Sequence, residues 1–303
     1  MHDDQLLAWR ITGATVRGAS HRRSDLPNQD ALAWRSPAAS GAPAASGAPA
    51  VLAIADGHGS PLYIRSDRGA RIAVHTAIAL LADFAAAHAT TPALSAVKRV
   101  AAERLPRDLV LTWNQGVAAD LAAEPISERE IAAAKIRAPR AALDRLADDP
   151  RLAYGATLLA AVLTQRYLLA VQLGDGDILT VNDDGTAAHW PLAPDPLLIA
   201  NETTSLCSPD AWRHVRTYLQ PVHAAAPQLV LLATDGYANS FVDQGGLLQA
   251  GGDMLTAIRD EGLSAVSSQL PAWLRATSAA GSGDDITVAL AVRAGDPQPS
   301  AQP

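Results

Sequence analysis

Two short runs of the chain are apolar at every position, and each ends beside a Thr or Asp turn. Residues 51–55 read VLAIA and residues 229–233 read LVLLA. Continuous apolarity over this length predicts strands buried on both faces, because a half-exposed strand alternates apolar and polar positions. Segments of strand character predict further strands at residues 9–16, 30–35, 156–163, 167–173, 177–181 and 286–292.

The long segment 67–148 has apolar residues at helical spacing. A further helix is predicted at residues 252–277, and a short one at residues 209–218 inside a proline-rich segment. Because the helices form a block and do not alternate with strands, the pattern favours an α+β fold with antiparallel sheets and segregated helices over a doubly wound parallel sheet. Breaks in the long helical segment are predicted at residues 90–92, 105–106, 124–125 and 138–139.

Two segments have compositions that do not build a core. Residues 36–50 contain the hexapeptide ASGAPA twice in succession and are predicted to form a flexible Ala/Ser/Gly/Pro loop. Residues 294–303 are predicted to be a disordered tail. Residues 1–293, which include this loop, are predicted to form a single domain.

Composition narrows the classes of partner. The formal net charge is −7 and no long basic run occurs, so we expect no nucleic-acid partner. Cys207 is the only cysteine, which excludes an internal disulfide and a cysteine-based zinc site. Charged residues interrupt the longest apolar stretch, 70–89, which therefore predicts an amphipathic helix and not a membrane span. We expect a monomeric cytoplasmic protein that does not bind membranes.

Aspartates stand beside three of the predicted buried strands. They are Asp56 in DGHG, Asp235 in TDG and Asp284 in GDD, and Asp30 opens another strand. One Asp-Gly pair is an ordinary turn, but several carboxylates brought together repel each other unless cations neutralise them. Hard cations such as Mg²⁺ and Mn²⁺ take oxygen ligands, and a pair of them acidifies a water for attack on a phosphoester.

The complete set of motifs resembles the type 2C (PPM) family of metal-dependent protein serine/threonine phosphatases, in its bacterial branch. The motifs stand in the family's order over about residues 12–292. They are Asn28-Gln29-Asp30, Asp56-Gly57-His58-Gly59, Gly155-Ala156-Thr157, Gly174-Asp175, Thr234-Asp235-Gly236 and Gly281-Ser282-Gly283-Asp284-Asp285.

The resemblance implies a four-layer α/β/β/α sandwich of two antiparallel sheets flanked by helices. It implies two divalent cations, Mn²⁺ or Mg²⁺, a phosphorylated protein as substrate, a cognate protein kinase and a role in signalling. Asp56 would bridge both cations and activate the water, and His58 would protonate the leaving alkoxide, a role that suits a near-neutral imidazole pKa. By the same resemblance the metal ligands are Asp30, Asp56, the Gly57 carbonyl, Asp235 and Asp284.

The sequence departs from the family pattern near the N terminus. Gln29 stands where many members have a glutamate ligand, and we expect the additional charge of Asp285 to offset that loss in part. The usual phosphate-binding arginine has no clear counterpart, so His21, Arg22 and Arg23 are the candidates for that role.

Two further aspartates are assigned from their sequence context. Asp175 is expected to tie a turn, and Asp149 is the nearest candidate ligand for a third cation.

Two other functions remain open on the sequence. One is a catalytically weak phosphatase-like binding module, which the departures at Gln29 and at the missing arginine would suit. The other is a metal-dependent phosphohydrolase that acts on small molecules or nucleotides.

Residues 192–221 are expected to form a flap beside the cleft that shapes substrate choice.

Overall fold

The computed structural model describes residues 8–36, 48–193, 203–222 and 226–293, and these form two five-stranded antiparallel sheets. The first sheet has the spatial order β1 (Trp9–Val16), β10 (Ile286–Arg293), β9 (Leu229–Ala233), β6 (Asp177–Val181) and β7 (Ala187–His189). The second has the order β2 (Ala31–Arg35), β3 (Ala50–Ala55), β4 (Leu158–Leu163), β5 (Tyr167–Leu173) and β8 (Arg216–Pro221).

Helices cover the outer face of each sheet. On the second sheet, α2 contacts β3 and α3 contacts β8, whereas α7 and α8 cover the first sheet against β6 and β1. The helices are α1 (Ala19–Ser24), α2 (Ser66–Ala87), α3 (Leu94–Ala123), α4 (Glu128–Arg137), α5 (Arg140–Asp148), α6 (Asp235–Ala238), α7 (Gln244–Glu261) and α8 (Leu263–Ala280). This arrangement confirms the predicted α+β fold, a four-layer α/β/β/α sandwich.

The central strands are apolar throughout because both of their faces are covered. In β3, Val51 and Ala53 pack in the core shared with α2 and α3, whereas Leu52 and Ile54 pack in the core between the two sheets. All six residues of β3 are buried. Helices on the outside therefore remove the polar alternation that an antiparallel strand with one solvated face would show.

The helix α2 is long and apolar enough to cross a membrane by composition alone. In the folded chain it lies against β3 and β2, and its small side chains Ala70, Ala73 and Ala77 are buried in the core beneath it. That is the position of a core helix in the sandwich.

Three predictions of secondary structure are wrong. The break expected at residues 105–106 is absent, because α3 continues through Pro106 with Leu105 and Leu109 buried against the second sheet. A proline inside a helix costs about 3 kcal/mol, which this burial offsets. The helix expected at residues 209–218 is instead one 3₁₀ turn followed by β8.

The helix predicted at residues 252–277 is two helices. They meet at Gly262, whose φ of 87° ends α7 and starts α8. In addition, α1 lies between β1 and β2, where the apolar pattern predicts no helix.

Several predicted segments lie partly outside the described residues. Within the predicted loop 36–50, residues 37–47 are not described, and Ala50 already belongs to β3. Within the predicted flap 192–221, residues 194–202 are not described, and its end forms β8. The predicted tail 294–303 lies entirely outside the described residues.

We predict opposite effects of alanine at two buried helical glycines. A Cβ at Gly69 in α2 would lie 1.8 Å from the Tyr154 carbonyl oxygen, so Gly69→Ala must push two backbones apart. At Gly251 in α7 the nearest atom would be the Cβ of Ala187, at an ordinary 3.4 Å. Gly69→Ala should lower the free energy of unfolding in urea by about 3 kcal/mol or more, whereas Gly251→Ala should raise it by about 0.5–1 kcal/mol. Equal effects of the two substitutions would contradict this packing.

Candidate active site

A cleft of about 620 Å³ opens where ends of strands from both sheets meet at one edge of the sandwich. Asp56 follows β3 of the second sheet, and Asp235 follows β9 of the first. Asp284 directly precedes Asp285 and β10. The structure thus brings together strand ends that are far apart in sequence. The predicted site residues that line the cleft are His21, Asp56, Gly57, His58, Asp235 and Asp284.

Hydrogen bonds to the backbone hold Asp56 in place at the centre of the cleft. Its N–H donates to Thr157 Oγ1 at 3.0 Å, and its carbonyl accepts from the Thr157 N–H at 2.8 Å. Its carboxyl lies within hydrogen-bonding reach of Asp235. Burial raises the pKa of Asp56 well above its ordinary value, and the charges of Asp30 and Asp235 raise it further. Four carboxylates share this edge, so the site favours cations.

Asp30 lies buried beneath the cleft, beside these carboxylates. Its Oδ2 accepts hydrogen bonds from Thr234 Oγ1 at 2.9 Å and Thr287 Oγ1 at 2.7 Å. Its Oδ1 is buried and has no hydrogen-bond partner. Burial raises the pKa of Asp30 to about 7, against the lowering effect of the Thr287 hydrogen bond. A buried acceptor without a donor is costly, and a cation would satisfy it.

Gln29 presents a second buried oxygen of this kind. Its Nε2 donates to Ser66 Oγ at 2.7 Å, which leaves Oε1 as the buried atom without a partner. The side chain lines the cleft. A neutral amide oxygen is therefore available where many family members carry a glutamate.

Asp285 places its charge beside the site, where it raises the pKa of Asp30, but its oxygens bind N–H groups of the chain. It is 4% exposed and holds the N-terminal segment against β10. Its Oδ1 accepts from the Gly18 N–H at 2.6 Å, and its Oδ2 accepts from the Gln29 N–H at 2.7 Å. Its oxygens are thus committed to positioning Gln29 and the segment before it.

His21, on α1, is a third group that contacts Asp285. Its Nδ1 lies 2.8 Å from Asp285 Oδ2, and its Nε2 lies 3.8 Å from Asp284 Oδ1. The hydrogen bond with Asp285 raises the pKa of His21 above its ordinary value, and burial opposes the rise. His21 therefore faces the cleft with one nitrogen already engaged.

His58 lies in the wall of the cleft, where its ring stacks at a tilt on Tyr63 with centroids 4.8 Å apart. Burial lowers the pKa of His58 to about 4, although the charge of Asp175 raises it. The near-neutral pKa expected from the sequence is therefore wrong for this structure. The ring is neutral at pH 7 until a negative charge approaches it.

Arg22 and Arg23, the two arginines predicted to bind phosphate, are exposed on α1 and are not among the residues that line the cleft. The structure instead brings Arg145 and Asp175 to the cleft wall. Asp175 was expected to tie a turn, but its side chain is exposed to the cleft. No sequence signal marks Arg145, which stands in an ordinary amphipathic helix.

Asp149, the candidate for a third cation, has a structural role. It accepts a hydrogen bond from the Arg151 N–H at 3.1 Å, which caps the 3₁₀ turn Pro150–Tyr154. Its carboxylate also pairs with the Arg151 guanidinium at 2.6 Å. It is not among the residues that line the cleft.

The available donors fit hard divalent cations. Within residues 8–36, 48–193, 203–222 and 226–293, no three His, Cys, Asp or Glu side chains are arranged as a ready-made metal site. The cleft instead offers the carboxylates of Asp56, Asp235 and Asp284, with unpartnered oxygens of Asp30 and Gln29 beside them. An all-oxygen set completed by water suits Mg²⁺ or Mn²⁺, whereas nothing here offers the thiolates that softer metals prefer.

Comparison with solved structures finds the same fold. The catalytic domain of the serine/threonine protein phosphatase PstP, in complex with two manganese ions, is 16% identical with a TM-score of 0.52, and the match covers 95% of this chain and 100% of that chain. A bacterial serine phosphatase is 14% identical with a TM-score of 0.56 and coverages of 95% and 99%. PppA, a regulatory component of the type VI secretion system in Pseudomonas aeruginosa, is 15% identical with a TM-score of 0.53 and coverages of 95% and 98%.

Comparison of sequences supplies the family. No curated protein matches the chain. The family model described as Protein phosphatase 2C matches residues 17–275, which include the motifs around Asp30, Asp56 and Asp235. The match ends before Asp284, which the fold nevertheless brings to the same cleft. The chain belongs to the protein phosphatase 2C family.

Proposed function

We propose that this metal-dependent serine/threonine protein phosphatase holds two divalent cations, Mn²⁺ or Mg²⁺, between Asp56, Asp235 and Asp284. In the proposed site, Asp30 and Gln29 supply the remaining side-chain oxygens, and Gly57 supplies a carbonyl. The observation that carries this assignment is the convergence of these carboxylates at one sheet edge beside two buried oxygens without partners.

The charge of the site supports the assignment. Among the described residues, no Lys or Arg forms an ion pair with Asp30, Asp56, Asp235 or Asp284. Their mutual repulsion therefore needs another source of positive charge. Bound divalent cations supply that charge and lower the pKa of a water that attacks phosphorus. The catalytic domain of PstP, in complex with two manganese ions, agrees with a site for two cations.

The residues of the chain divide the remaining work of hydrolysis. Asp56, held by Thr157, keeps its carboxylate at a fixed place in the cleft. His58 is the candidate that donates a proton to the leaving serine or threonine oxygen. Burial lowers the pKa of His58 in the free site, and the negative charge of a bound phosphoester acts in the opposite direction.

The wider setting is also part of the proposal. The substrate is a phosphorylated protein, a cognate kinase adds the phosphate, and the enzyme acts as a cytoplasmic monomer in signalling. The flap region at residues 192–221 contributes to the choice of substrate. Its described end, β8, pairs with β5, and β5 leads to Asp175 in the cleft wall.

We predict phosphate release from a phosphothreonine peptide by the wild-type chain with Mn²⁺ or Mg²⁺, and no release with EDTA, because the carboxylates alone neither activate a water nor neutralise the charge of the phosphoryl group. Release should be faster from the peptide than from ATP or p-nitrophenyl phosphate at equal concentration. Preference for a nucleotide would favour the small-molecule phosphohydrolase. Cation binding by calorimetry without release from any substrate would favour the binding module.

A further inference from the structure

We infer that Arg145 is the arginine that binds the substrate phosphate in this active site, supplied by α5 and not by the N-terminal segment. The inference rests on the proposed function, because it assigns a role toward the phosphoester that the cations hold. It replaces the prediction that Arg22 or Arg23 performs that role.

Arg145 is the only Lys or Arg side chain among the described residues that line the cleft. It lies near the ring of Tyr63, which stacks on His58. Its guanidinium thus stands on the same wall as the candidate proton donor. The cleft is otherwise lined by carboxylates, neutral side chains and two histidines.

The guanidinium of Arg145 makes no hydrogen bond or ion pair with any described residue, whereas three other arginines of this part of the fold are paired. Arg65 binds Glu130 at 2.7 Å, Arg68 binds Asp120 at 3.0 Å and Arg151 binds Asp149 at 2.6 Å. Arg145 therefore has all five of its N–H donors available on the wall of the cleft. A planar guanidinium matches two phosphoryl oxygens at once.

The charges in the cleft explain why the positive guanidinium of Arg145 is needed for phosphate binding. Two divalent cations offset the carboxylates of Asp56, Asp235, Asp284 and Asp175, so a phosphoester dianion brings charge that still needs a partner. His21 is engaged with Asp285 at 2.8 Å. Arg22 and Arg23 lie outside the cleft lining. The free guanidinium of Arg145 is the remaining positive group on the wall.

The test compares Arg145→Ala and Arg145→Lys with Arg140→Ala, a matched control because Arg140 is an exposed arginine at the start of the same helix. With Mn²⁺, we expect Arg145→Ala to lower kcat/KM about 10- to 100-fold for both a phosphothreonine peptide and p-nitrophenyl phosphate, the loss typical of a charge-assisted hydrogen bond. Arg145→Lys should recover part of this loss, since it keeps the charge and loses the two-point contact. Arg140→Ala should behave as wild type.

A second readout is the binding of inorganic phosphate to the Mn²⁺-loaded proteins by calorimetry, which should weaken by a similar factor in Arg145→Ala. Thermal unfolding and Mn²⁺ affinity should match wild type, because Arg145 has no structural partner. Equal kinetics and phosphate affinity in Arg145→Ala and Arg140→Ala would overturn the inference. So would a loss confined to the peptide, since Arg145 would then contact the peptide and not the phosphate.

Failure of the proposed function gives a different result. In that case the wild-type chain itself releases no phosphate from either substrate. Calorimetry with inorganic phosphate would still decide whether Arg145 binds the anion.

Discussion

Asp56→Asn is expected to abolish cation-dependent phosphate release while leaving the chain folded. Asp56 lies at the centre of the cleft, within hydrogen-bonding reach of Asp235, and it is the residue proposed to contact both cations. Loss of that ligand should lower kcat by about 10³-fold or more, equivalent to about 4 kcal/mol in the barrier. The assay is phosphate release from a phosphothreonine peptide with saturating Mn²⁺.

The same substitution should change stability in opposite directions with and without cations. In EDTA, Asp56→Asn removes one of several buried carboxylates that repel each other, so thermal unfolding should occur at a higher temperature than in wild type. With Mn²⁺, wild type gains stability from binding and the variant gains much less. Asp260→Asn, at an exposed aspartate of α7, should match wild type in both conditions. A variant that keeps its activity, or that loses stability in EDTA, would contradict the assignment of Asp56.

Arg65→Ala is expected to cause the largest loss of stability, about 3–5 kcal/mol in the free energy of unfolding. Arg65 is 2% exposed at the start of α2 and binds Glu130 through two nitrogens, at 2.7 and 3.0 Å. It also donates to the Tyr154 hydroxyl at 2.8 Å and to the carbonyls of Glu124 and Pro125 at 2.6 and 3.0 Å. Its removal takes the Arg65 donors away from Glu130 Oε1 and from the two carbonyls, whereas Glu130 Oε2 keeps the hydrogen bonds from Ser127.

The control for this prediction is Arg68→Ala. Arg68 pairs with Asp120 and Glu124 one turn further along α2, but its side chain is 25% exposed. Water can replace its partners, so we expect a loss of about 1 kcal/mol or less. Urea unfolding of the two variants measures the difference. A similar loss in both would show that the burial of Arg65 adds nothing.

The Arg65 pair should also appear in the pH dependence of stability. The hydrogen bond from Arg65 lowers the pKa of Glu130 to about 2, below its value of about 4.3 in the unfolded chain. The pair therefore stabilises the fold fully above the unfolded pKa and loses its effect as the pH falls from about 4 to 2. In Arg65→Ala this part of the acid-induced loss should be absent, so the gap between the two proteins should narrow below about pH 4.

Local patterns were sufficient to predict most strands. They also predicted three of the four aspartates that line the cleft as site residues, namely Asp56, Asp235 and Asp284 but not Asp175. β3 and β9 are apolar throughout because they are covered on both faces, and this property is visible in five consecutive residues. Pro106 shows the limit of such reasoning, because burial of Leu105 and Leu109 against a distant sheet carries α3 through a residue that ordinarily ends a helix.

The family, the four-layer sandwich and the aspartates at the strand ends could be read from the chain before folding, since each of these depends on short motifs and on their order. Roles that depend on neighbours from elsewhere in the chain became visible in the folded structure. Asp285 holds the N-terminal segment in place, in addition to placing its charge beside Asp30, because the N–H groups of Gly18 and Gln29 lie against its oxygens. His58 is neutral because the fold buries it, and Arg145 reaches the cleft because α5 packs on the 3₁₀ turn Pro150–Tyr154. Burial and electrostatic contacts between distant residues are properties of the folded chain, and no local pattern encodes them.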